Sequence, residues 1–332
     1  MLQERLLNIV RRFSKRRLLI LGDSIADKFL YGSISRVSRE APVFILRHES
    51  TETVPGGAAN CALNLAALGA SVSLVSVAGN DEAGTALRDK LSAAGVKVEG
   101  LLLSDEIQTT TKVRILAGHS HANKQQVIRV DYEGAPLNNL NVRQTINANL
   151  TNALKAADAV ILSDYNYGIV DRHAIELVRE TQRAKKIPVL VDSRFRLSDF
   201  SGFTAATPNE DEVEHLIGAA VDSTAKLEAA AGRLRQQLQL DALVVTRGSR
   251  GMMLLTKDAA PLHIPAVGAQ AVDGTGAGDT VIATFALALA AGSSFDEAAQ
   301  LANYAGGLVV MKRGTATVTA SELEQSINDL GP

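Results

Sequence analysis

Short apolar runs that alternate with alanine- and leucine-rich stretches dominate the pattern of the chain. The apolar runs lie at residues 17–24, 71–79, 158–165, 189–193 and 242–248. The stretches with helical length and spacing lie at residues 58–69, 82–94, 142–156, 171–185 and 224–238. Because strands buried on both faces have continuous apolar sequence, this alternation predicts an α/β fold with a mostly parallel sheet covered by helices on both faces.

Two segments depart from this alternation. Residues 29–54 and 107–133 are rich in β-branched side chains without helical periodicity, and we expect antiparallel strands that form a small lid on a single domain spanning residues 1–332. Residues 1–17 interleave charges with apolar positions at helical spacing, which favours a helix packed on the domain over a signal peptide. A basic helix lying on a membrane surface is the alternative for this segment.

Composition narrows the class of protein. The 332 residues carry a formal net charge of −2, so the overall charge indicates neither a nucleic-acid nor a membrane partner. A single cysteine, Cys61, excludes an internal disulfide and favours a cytoplasmic protein. The close pair His119 and His121 is more typical of a polar loop than of a metal site. No apolar run approaches the ~20 residues of a membrane span.

Polar residues follow the predicted strands where each strand ends. Asp23, Asp164, Asp192 and Arg247 all occupy such positions. Ligands of open α/β sheets bind at the carboxyl ends of the strands, so we expect the functional site at this edge.

The segment DGTGAGDT at residues 273–280 is the strongest chemical signal. Its glycines allow the backbone N–H groups of Gly276, Ala277 and Gly278 to converge on an anion at the start of an apolar helix. Asp279 then lies in the first helical turn, where a carboxylate can take a proton from an attacking hydroxyl. A glycine-rich turn followed by an ordinary helix-start acid explains the same letters.

GTGAGDT at residues 274–280 resembles the C-terminal signature of the ribokinase-like (PfkB) carbohydrate kinases. GGAANCALNLAALG at 56–69 resembles their N-terminal signature, and TPNEDEVE at 207–214 and VVTRGSRGMML at 244–254 match two further motifs in the same order. The resemblance implies a ribokinase-like three-layer αβα sandwich and ATP-dependent phosphoryl transfer to a sugar hydroxyl. Asp279 would be the general base, and residues 276–278 would form the anion hole.

The family resemblance also implies roles for individual residues. Gly56, Gly57 and Asn60 would bind the sugar. Nucleotide binding is implied for Asn209, Thr246, Arg247, Gly248, Gly251, Gly276, Gly278 and Asn303. Asn209 and Glu212 would position Mg²⁺, mostly through water. Asp273 and Thr275 would bind a monovalent cation together with carbonyls of residues 311–317, and we expect potassium.

A closer resemblance is to the bacterial heptose 7-phosphate kinases, the kinase half of the enzymes that make ADP-heptose. LGDSIADKFLYGSISRVSREAPV at 21–43, TTTKVRIL at 109–116 and QQVIRVDYE at 125–133 carry it. The resemblance implies sugar contacts by Asp23, Asp27 and Asp192. It implies a sugar phosphate held by Arg36, Lys112 and Arg129, although solvated lid charges explain the same three cations.

Four positions depart from the heptose kinase pattern. Asn166 and Tyr167 replace an expected Gly-Lys pair, and Ser193 and Arg194 replace Pro-Lys. These changes leave the kinase prediction intact but weaken the choice of sugar.

Several alternatives stay open. They are a kinase for an unphosphorylated sugar or a nucleoside, and a catalytically silent sugar- or nucleotide-binding regulator. A dinucleotide-dependent oxidoreductase is disfavoured, because the first strand ends in LGDS rather than GxGxxG. The sequence has no H-x-G-H motif, so a kinase without adenylyltransferase activity is expected. The exposed edges of a lid sheet predict a homodimer formed through the lid.

Overall fold

The computed structural model describes residues 2–118, 124–134, 136–257, 259–268 and 271–329, so the His119–His121 pair lies outside the described residues. The strands are β1 Arg17–Gly22, β2 Ser24–Val37, β3 Phe44–Gly57, β4 Ser71–Gly79, β5 Leu101–Ser104, β6 Thr111–Gly118, β7 Gln125–Tyr132, β8 Ala159–Asp164, β9 Val189–Ser193, β10 Ala205–Ala206, β11 Ala242–Thr246, β12 Met252–Thr256 and β13 Leu262–Ile264. The helices are α1 Leu2–Val10, α2 Ala58–Ala67, α3 Glu82–Ala93, α4 Leu140–Leu154, α5 Arg172–Lys185, α6 Glu210–Ile217, α7 Thr224–Gln237, α8 Ala277–Ala290, α9 Phe295–Val309 and α10 Ala320–Asp329.

The central sheet has nine strands in the order β13-β12-β11-β10-β9-β8-β1-β4-β5. The strands from β11 to β5 in this order pair in parallel, and β12 and β13 add an antiparallel edge. The predicted mostly parallel sheet is therefore confirmed. The carboxyl ends of its parallel strands meet at one edge, where the polar residues that follow them gather.

Two apolar clusters cover the two faces of the central sheet. Alternate side chains of a strand point to opposite faces, so Leu18 and Ile20 join one cluster while Leu19 and Leu21 join the other. Helices α1, α2, α8, α9 and α10 contribute to the first cluster, and α4, α5 and α7 contribute to the second. This arrangement gives the predicted three layers.

A second sheet of four strands, the lid sheet, has the order β3-β2-β6-β7. The pairs β2–β3 and β6–β7 are antiparallel, as predicted. The two hairpins join through β2 and β6, which run parallel, and this differs from an entirely antiparallel lid. Sequence letters predict hairpins from local pattern, whereas the direction in which two distant hairpins meet depends on the connection between them.

The N-terminal helix α1 packs on the domain, as its pattern predicts. Leu6, Ile9 and Val10 are buried in the first apolar cluster, together with Phe13 just beyond the helix. Helix α1 contacts α10 near the other end of the described chain. Among the described helices, none combines the length and the apolar character needed to cross a membrane.

Candidate active site

Helix α8 begins at the predicted glycine nest. Gly276 precedes its first residue with a left-handed φ of 76°, and Ala277 begins the helix. A Cβ atom on Gly276 would lie 2.5 Å from Nδ2 of Asn60, so glycine is required here both by the backbone and by its neighbour. Asp279 lies in the first turn and is 6% exposed. The N-terminus of α8 thus places an acid beside backbone N–H groups.

The carboxylate of Asp279 has two hydrogen-bond donors. Nδ2 of Asn60 donates to Oδ2 at 2.7 Å, and the hydroxyl of Tyr165 donates to Oδ1 at 3.3 Å. Burial raises the pKa of Asp279 to about 7, while these two donors act in the opposite direction. A carboxyl that titrates near neutral pH can both accept and release a proton, as a general base must.

Asn60 does not face open space as the sugar-binding prediction requires. Its side chain is fully buried on α2 and bonds to Asp279. Tyr165, which sequence reasoning missed, instead faces the cavity beside the acid. Its position directly after Asp164 at the end of β8 is the signal that could have identified it.

A polar cavity of about 470 Å³ opens in front of Asp279, and we call it the acceptor cavity. It lies between the lid sheet and the carboxyl ends of β8 and β9, and it also contacts Gly57, Gly274, Thr275, Gly276 and Gly278. Its charged lining residues are Asp27, Lys112, Arg114, Arg129, Asp164, Asp192, Arg194, Glu212 and Asp279. The cavity is thus lined by both cations and carboxylates, which suits a substrate with both hydroxyl and phosphate groups.

Asp27 is held at the wall of the acceptor cavity by a cation that the sequence did not indicate. Arg114 of β6 forms an ion pair with Asp27, which is buried. Burial raises the pKa of Asp27, and the positive charge of Arg114 opposes this shift. A Cβ atom on Gly56 would lie 2.4 Å from Oδ2 of Asp27, so this predicted glycine makes room for the carboxylate.

Asp23 has a different position from the one predicted. Its carboxylate accepts hydrogen bonds from the backbone N–H groups of Tyr165, Tyr167 and Ile169, at 2.7, 3.2 and 3.3 Å. It does not line the acceptor cavity. Burial, with the nearby Asp164 carboxylate, raises the pKa of Asp23 to about 6. Asp23 therefore holds the loop that carries Tyr165.

The three cations predicted to hold a sugar phosphate separate into two groups. Lys112 is buried in the acceptor cavity, with Nζ 5.6 Å from the centre of the Tyr165 ring. Arg129 also lines the cavity, although its Nε bonds to Asp131 at 2.9 Å. Arg36 is exposed near the outer end of β2 and does not line the cavity.

The four positions that depart from the heptose kinase pattern surround the end of β8 and β9. Asn166 has a left-handed φ of 67°, a conformation that glycine adopts freely and that asparagine tolerates better than most residues. The hydroxyl of Tyr167 donates to Glu133. Ser193 donates to Oδ2 of Asp164 at 2.7 Å. Arg194 supplies a cation to the acceptor cavity in place of the expected lysine.

Asn209 and Glu212 form a capping box at the start of α6. Oδ1 of Asn209 accepts from the Glu212 N–H, and Oε2 of Glu212 accepts from the Asn209 N–H, both at 2.9 Å. Glu212 and Asp192 both line the acceptor cavity. Burial, with the negative charge of Glu212, raises the pKa of Asp192 well above its usual range. Two carboxylates that line one cavity, with the charge of Glu212 acting on Asp192, suit a divalent cation bound partly through water.

A second cavity, of about 650 Å³, borders the glycine nest, and we call it the nucleotide cavity after the ligand that the sequence resemblance implies there. It shares Thr246, Gly274 and Gly278 with the acceptor cavity. Its wall is mostly backbone and apolar side chains, typical of a site for a flat ring. The predicted residues Gly248, Gly251 and Asn303 also line it.

Arg247 does not line either cavity. Its Nε bonds to Oε1 of Glu210 at 2.8 Å, so the side chain is directed to α6. Asn303 lines the nucleotide cavity and donates from Nδ2 to the carbonyl oxygen of Pro265 at 2.8 Å. Its amide therefore fixes a segment of the cavity wall.

Asp273 joins two loops near the glycine nest. Its Oδ1 accepts from the Thr275 N–H, and its Oδ2 accepts from the Gly314 N–H, both at 2.9 Å. These bonds lower the pKa of Asp273 against the effect of its burial. Oγ1 of Thr315 is buried in the same region without a hydrogen-bond partner in the described chain. An oxygen of this kind, beside an ionised carboxylate, fits a monovalent cation.

Comparisons with known proteins identify the family of the chain and support its fold. The model of the pfkB family carbohydrate kinases matches residues 25–322. The bifunctional protein HldE of Ectopseudomonas mendocina (strain ymp) is 42% identical over 318 residues, which cover 95% of this chain and 64% of that protein. The chain thus spans less than two thirds of the length of this curated relative.

Solved structures show the same fold at low identity. Arabidopsis thaliana ribokinase complexed with ribose and ATP superposes with a TM-score of 0.73 and 20% identity, covering 94% of this chain and 98% of that one. Escherichia coli phosphofructokinase-2 in complex with potassium gives a TM-score of 0.74 and 17% identity, covering 95% and 99%. With the family match over most of its length, the chain belongs to the pfkB family of carbohydrate kinases.

Proposed function

We propose that the chain transfers the γ-phosphoryl group of ATP to the anomeric hydroxyl of heptose 7-phosphate, giving ADP and heptose 1,7-bisphosphate. The observation that carries the proposal is the acceptor cavity, which combines the buried Asp279 with the cations Lys112, Arg129 and Arg194. An unphosphorylated sugar has no group that needs three cations, whereas a sugar phosphate does. The resemblance of residues 21–43 to the heptose 7-phosphate kinases supports the same substrate.

Asp279 acts as the general base of the transfer. It takes the proton of the attacking hydroxyl while a bond forms between the sugar oxygen and the γ-phosphorus atom. The bond between the γ-phosphorus and the oxygen that bridges to the β-phosphate breaks, and ADP leaves with those electrons. The backbone N–H groups of Gly276 and Gly278 lie beside Asp279, where they would stabilise the negative charge of the transferring group. The N–H of Ala277, predicted to join them, instead donates to the carbonyl oxygen of Gly274 at 3.2 Å.

Two sets of residues could hold the cations that phosphoryl transfer needs. Glu212 and Asp192 would hold Mg²⁺, mostly through water, with Asn209 fixing the orientation of Glu212. Mg²⁺ bound there would neutralise phosphate charge. Asp273 and Thr275 would hold a potassium ion, and Thr315, whose buried hydroxyl has no partner among the described residues, would add a further oxygen. The potassium complex of the E. coli phosphofructokinase-2 supports the choice of potassium.

An ADP-release assay on a panel of sugars tests the proposal. The panel contains heptose 7-phosphate, fructose 6-phosphate, ribose, fructose and adenosine, and Asp279→Asn serves as the blank. We expect turnover with heptose 7-phosphate and a decrease in kcat of roughly 10²–10⁴-fold in Asp279→Asn. Preference for an unphosphorylated sugar or a nucleoside would overturn the substrate. Absence of ADP release across the panel would instead support the alternative that the protein is a catalytically silent sugar- or nucleotide-binding regulator.

We infer in addition that a second copy of the chain covers the lid sheet. Strand β7 is exposed along its whole length and carries Val127, Ile128, Val130 and Tyr132. Strands β3 and β7 are the edges of this sheet, and exposed edges with apolar side chains favour pairing with another copy. Sedimentation at increasing concentration would detect the dimer, and Ile128→Asp should give a monomer.

A further inference from the structure

A buried chain of polar side chains leads from the interior of the protein to Asp279. Thr280 donates from Oγ1 to Oδ1 of Asn64 at 2.9 Å, and Nδ2 of Asn64 lies 3.3 Å from Oδ1 of Asn60. Nδ2 of Asn60 then donates to Oδ2 of Asp279 at 2.7 Å. Asn60, Asn64 and Thr280 are all 0% exposed, so water cannot replace any of these partners. This hydrogen-bond chain connects α2 with the first turn of α8.

The chemistry of each pair fixes the direction of the chain. The ionised carboxylate of Asp279 can only accept, so the atom of Asn60 that faces it is the amide nitrogen. Oδ1 of Asn60 then faces Asn64, which must present a donor. The backbone carbonyl oxygen of Asn60, which accepts from Nδ2 of Asn64 at 3.0 Å, fixes that amide independently, because a carbonyl cannot donate. Oδ1 of Asn64 is thereby left to accept from the Thr280 hydroxyl, which lies closer to it, at 2.9 Å, than to the carbonyl oxygen of Gly276, at 3.2 Å.

We propose that Asn60, Asn64 and Thr280 are positioning residues, which orient a hydrogen-bond donor toward Asp279 and keep its carboxylate ionised for the transfer. Asn60 is the member in contact with the acid, and the other two act through it. The lack of a Cβ atom at Gly276 is part of the arrangement, since that atom would lie 2.5 Å from the Asn60 amide nitrogen. This inference rests on the proposed role of Asp279 as base.

Other groups near Asp279 also act on its charge. Burial disfavours the carboxylate most strongly, Asp27 adds to that effect, and the Tyr165 hydroxyl and Lys112 oppose it. Asp192 and the buried Cys61 thiol lie close enough for the charge of Asp279 to raise their own pKa values. None of these groups belongs to the hydrogen-bond chain, so variants of the chain leave them in place. A change in the titration of Asp279 can then be attributed to the chain.

The test is a titration of the aspartate carboxyl carbons by ¹³C NMR on the ligand-free protein. The signal of Asp279 is the one that Asp279→Asn removes. We expect Asn60→Ala to raise the pKa of Asp279 by about one unit, because a donor to a charged acceptor is lost. Thr280→Val should raise it by a smaller amount, and Thr280→Ser, which keeps the hydroxyl, should restore the wild-type value.

Thr284→Val is the matched control. Thr284 is equally buried one turn further along α8, and its hydroxyl donates to the backbone carbonyl of Thr280 at 2.8 Å, outside the chain. This variant should leave the titration of Asp279 unchanged. An unchanged pKa in both Asn60→Ala and Thr280→Val would overturn the inference, as would an equal shift in Thr284→Val.

Kinetics separate this inference from the proposed function. The kcat/KM of Asn60→Ala for heptose 7-phosphate should fall at low pH and recover as the pH rises, whereas a damaged fold would lower it at every pH. Wild-type turnover by Asp279→Asn would refute the role of Asp279 as general base, even if the expected pKa shifts occur in the other variants. If Asp279→Asn is inactive but the other variants show no change in the pKa of Asp279, the role of Asp279 as base is supported and the positioning role of Asn60, Asn64 and Thr280 is refuted.

Discussion

Gly276→Ala offers a sharp test of how the glycine nest is built. Gly276 has a φ of 76°, and holding alanine in this left-handed region costs about 1 kcal/mol. The new Cβ atom would lie 2.5 Å from Nδ2 of Asn60, so the amide must move and lose its bond to Asp279. A hydrogen bond to a charged acceptor contributes about 2 kcal/mol. The expected loss in the free energy of unfolding is therefore about 3 kcal/mol.

Gly278→Ala is the matched control for this prediction. Gly278 belongs to the same nest, but its φ is not positive and a Cβ atom there would have no neighbour within 4 Å. Alanine is the better helix former, so this variant should be as stable as wild type or up to about 1 kcal/mol more stable.

Urea denaturation followed by far-ultraviolet circular dichroism at pH 8 measures both variants. The chain has no tryptophan, so circular dichroism replaces the usual tryptophan fluorescence. At pH 8 the carboxyl of Asp279, with a pKa of about 7, is mostly ionised and the bond from Asn60 has its full value. Equal unfolding midpoints for Gly276→Ala and Gly278→Ala would refute the reasoning.

Three further predictions concern turnover, measured by ADP release. Because burial raises the pKa of Asp279 to about 7 and a base must be ionised, kcat/KM should fall about tenfold per pH unit below that value; a rate independent of pH from 5 to 8 would contradict this. Arg194→Ala should raise the KM for heptose 7-phosphate at least about tenfold and leave the KM for ATP unchanged. Arg36→Ala, at the exposed end of β2, should change neither KM. Equal effects of the two variants on the KM for heptose 7-phosphate would contradict the placement of the phosphate. Gly307→Ala would put a Cβ atom 2.1 Å from the carbonyl oxygen of Val267 in the wall of the nucleotide cavity, so the KM for ATP should rise several-fold. Gly232→Ala, whose Cβ atom would meet only Leu255 at 3.9 Å, should keep the wild-type KM for ATP.

The sequence predicts the fold well because its signals are local. Each strand of the parallel sheet that the apolar runs indicate is present, and the predicted helix at 58–69 appears as α2, Ala58–Ala67. The glycine nest and Asp279 are likewise adjacent in sequence, so one motif contains them both. Local pattern also predicts that Asn60 and Asn64, one turn apart, share a face of α2.

Side-chain direction could not be predicted in the same way. Asn60 bonds to Asp279 across 219 positions of the chain, and no local pattern distinguishes this from a sugar contact. Arg247 follows a strand as a ligand-binding residue would, yet its side chain forms an ion pair with Glu210 on α6. Asp23 was predicted to hold the sugar, but its carboxylate accepts hydrogen bonds from backbone N–H groups of the loop at residues 165–169.

The lid sheet is assembled from two separate segments of the chain, β2 with β3 and β6 with β7. β2 follows β1 after a single residue, and β3 runs directly into α2, which carries Asn60. A chimera that receives the lid of another kinase must therefore be joined at four points of the chain, near residues 23, 57, 110 and 133. Two of these joints touch the active site, since Asp23 holds the Tyr165 loop and Gly57 lines the acceptor cavity. Exchange of the lid is thus also an exchange of active-site supports, and a graft confined to the strand ends farthest from these four joints is the design that keeps those supports in place.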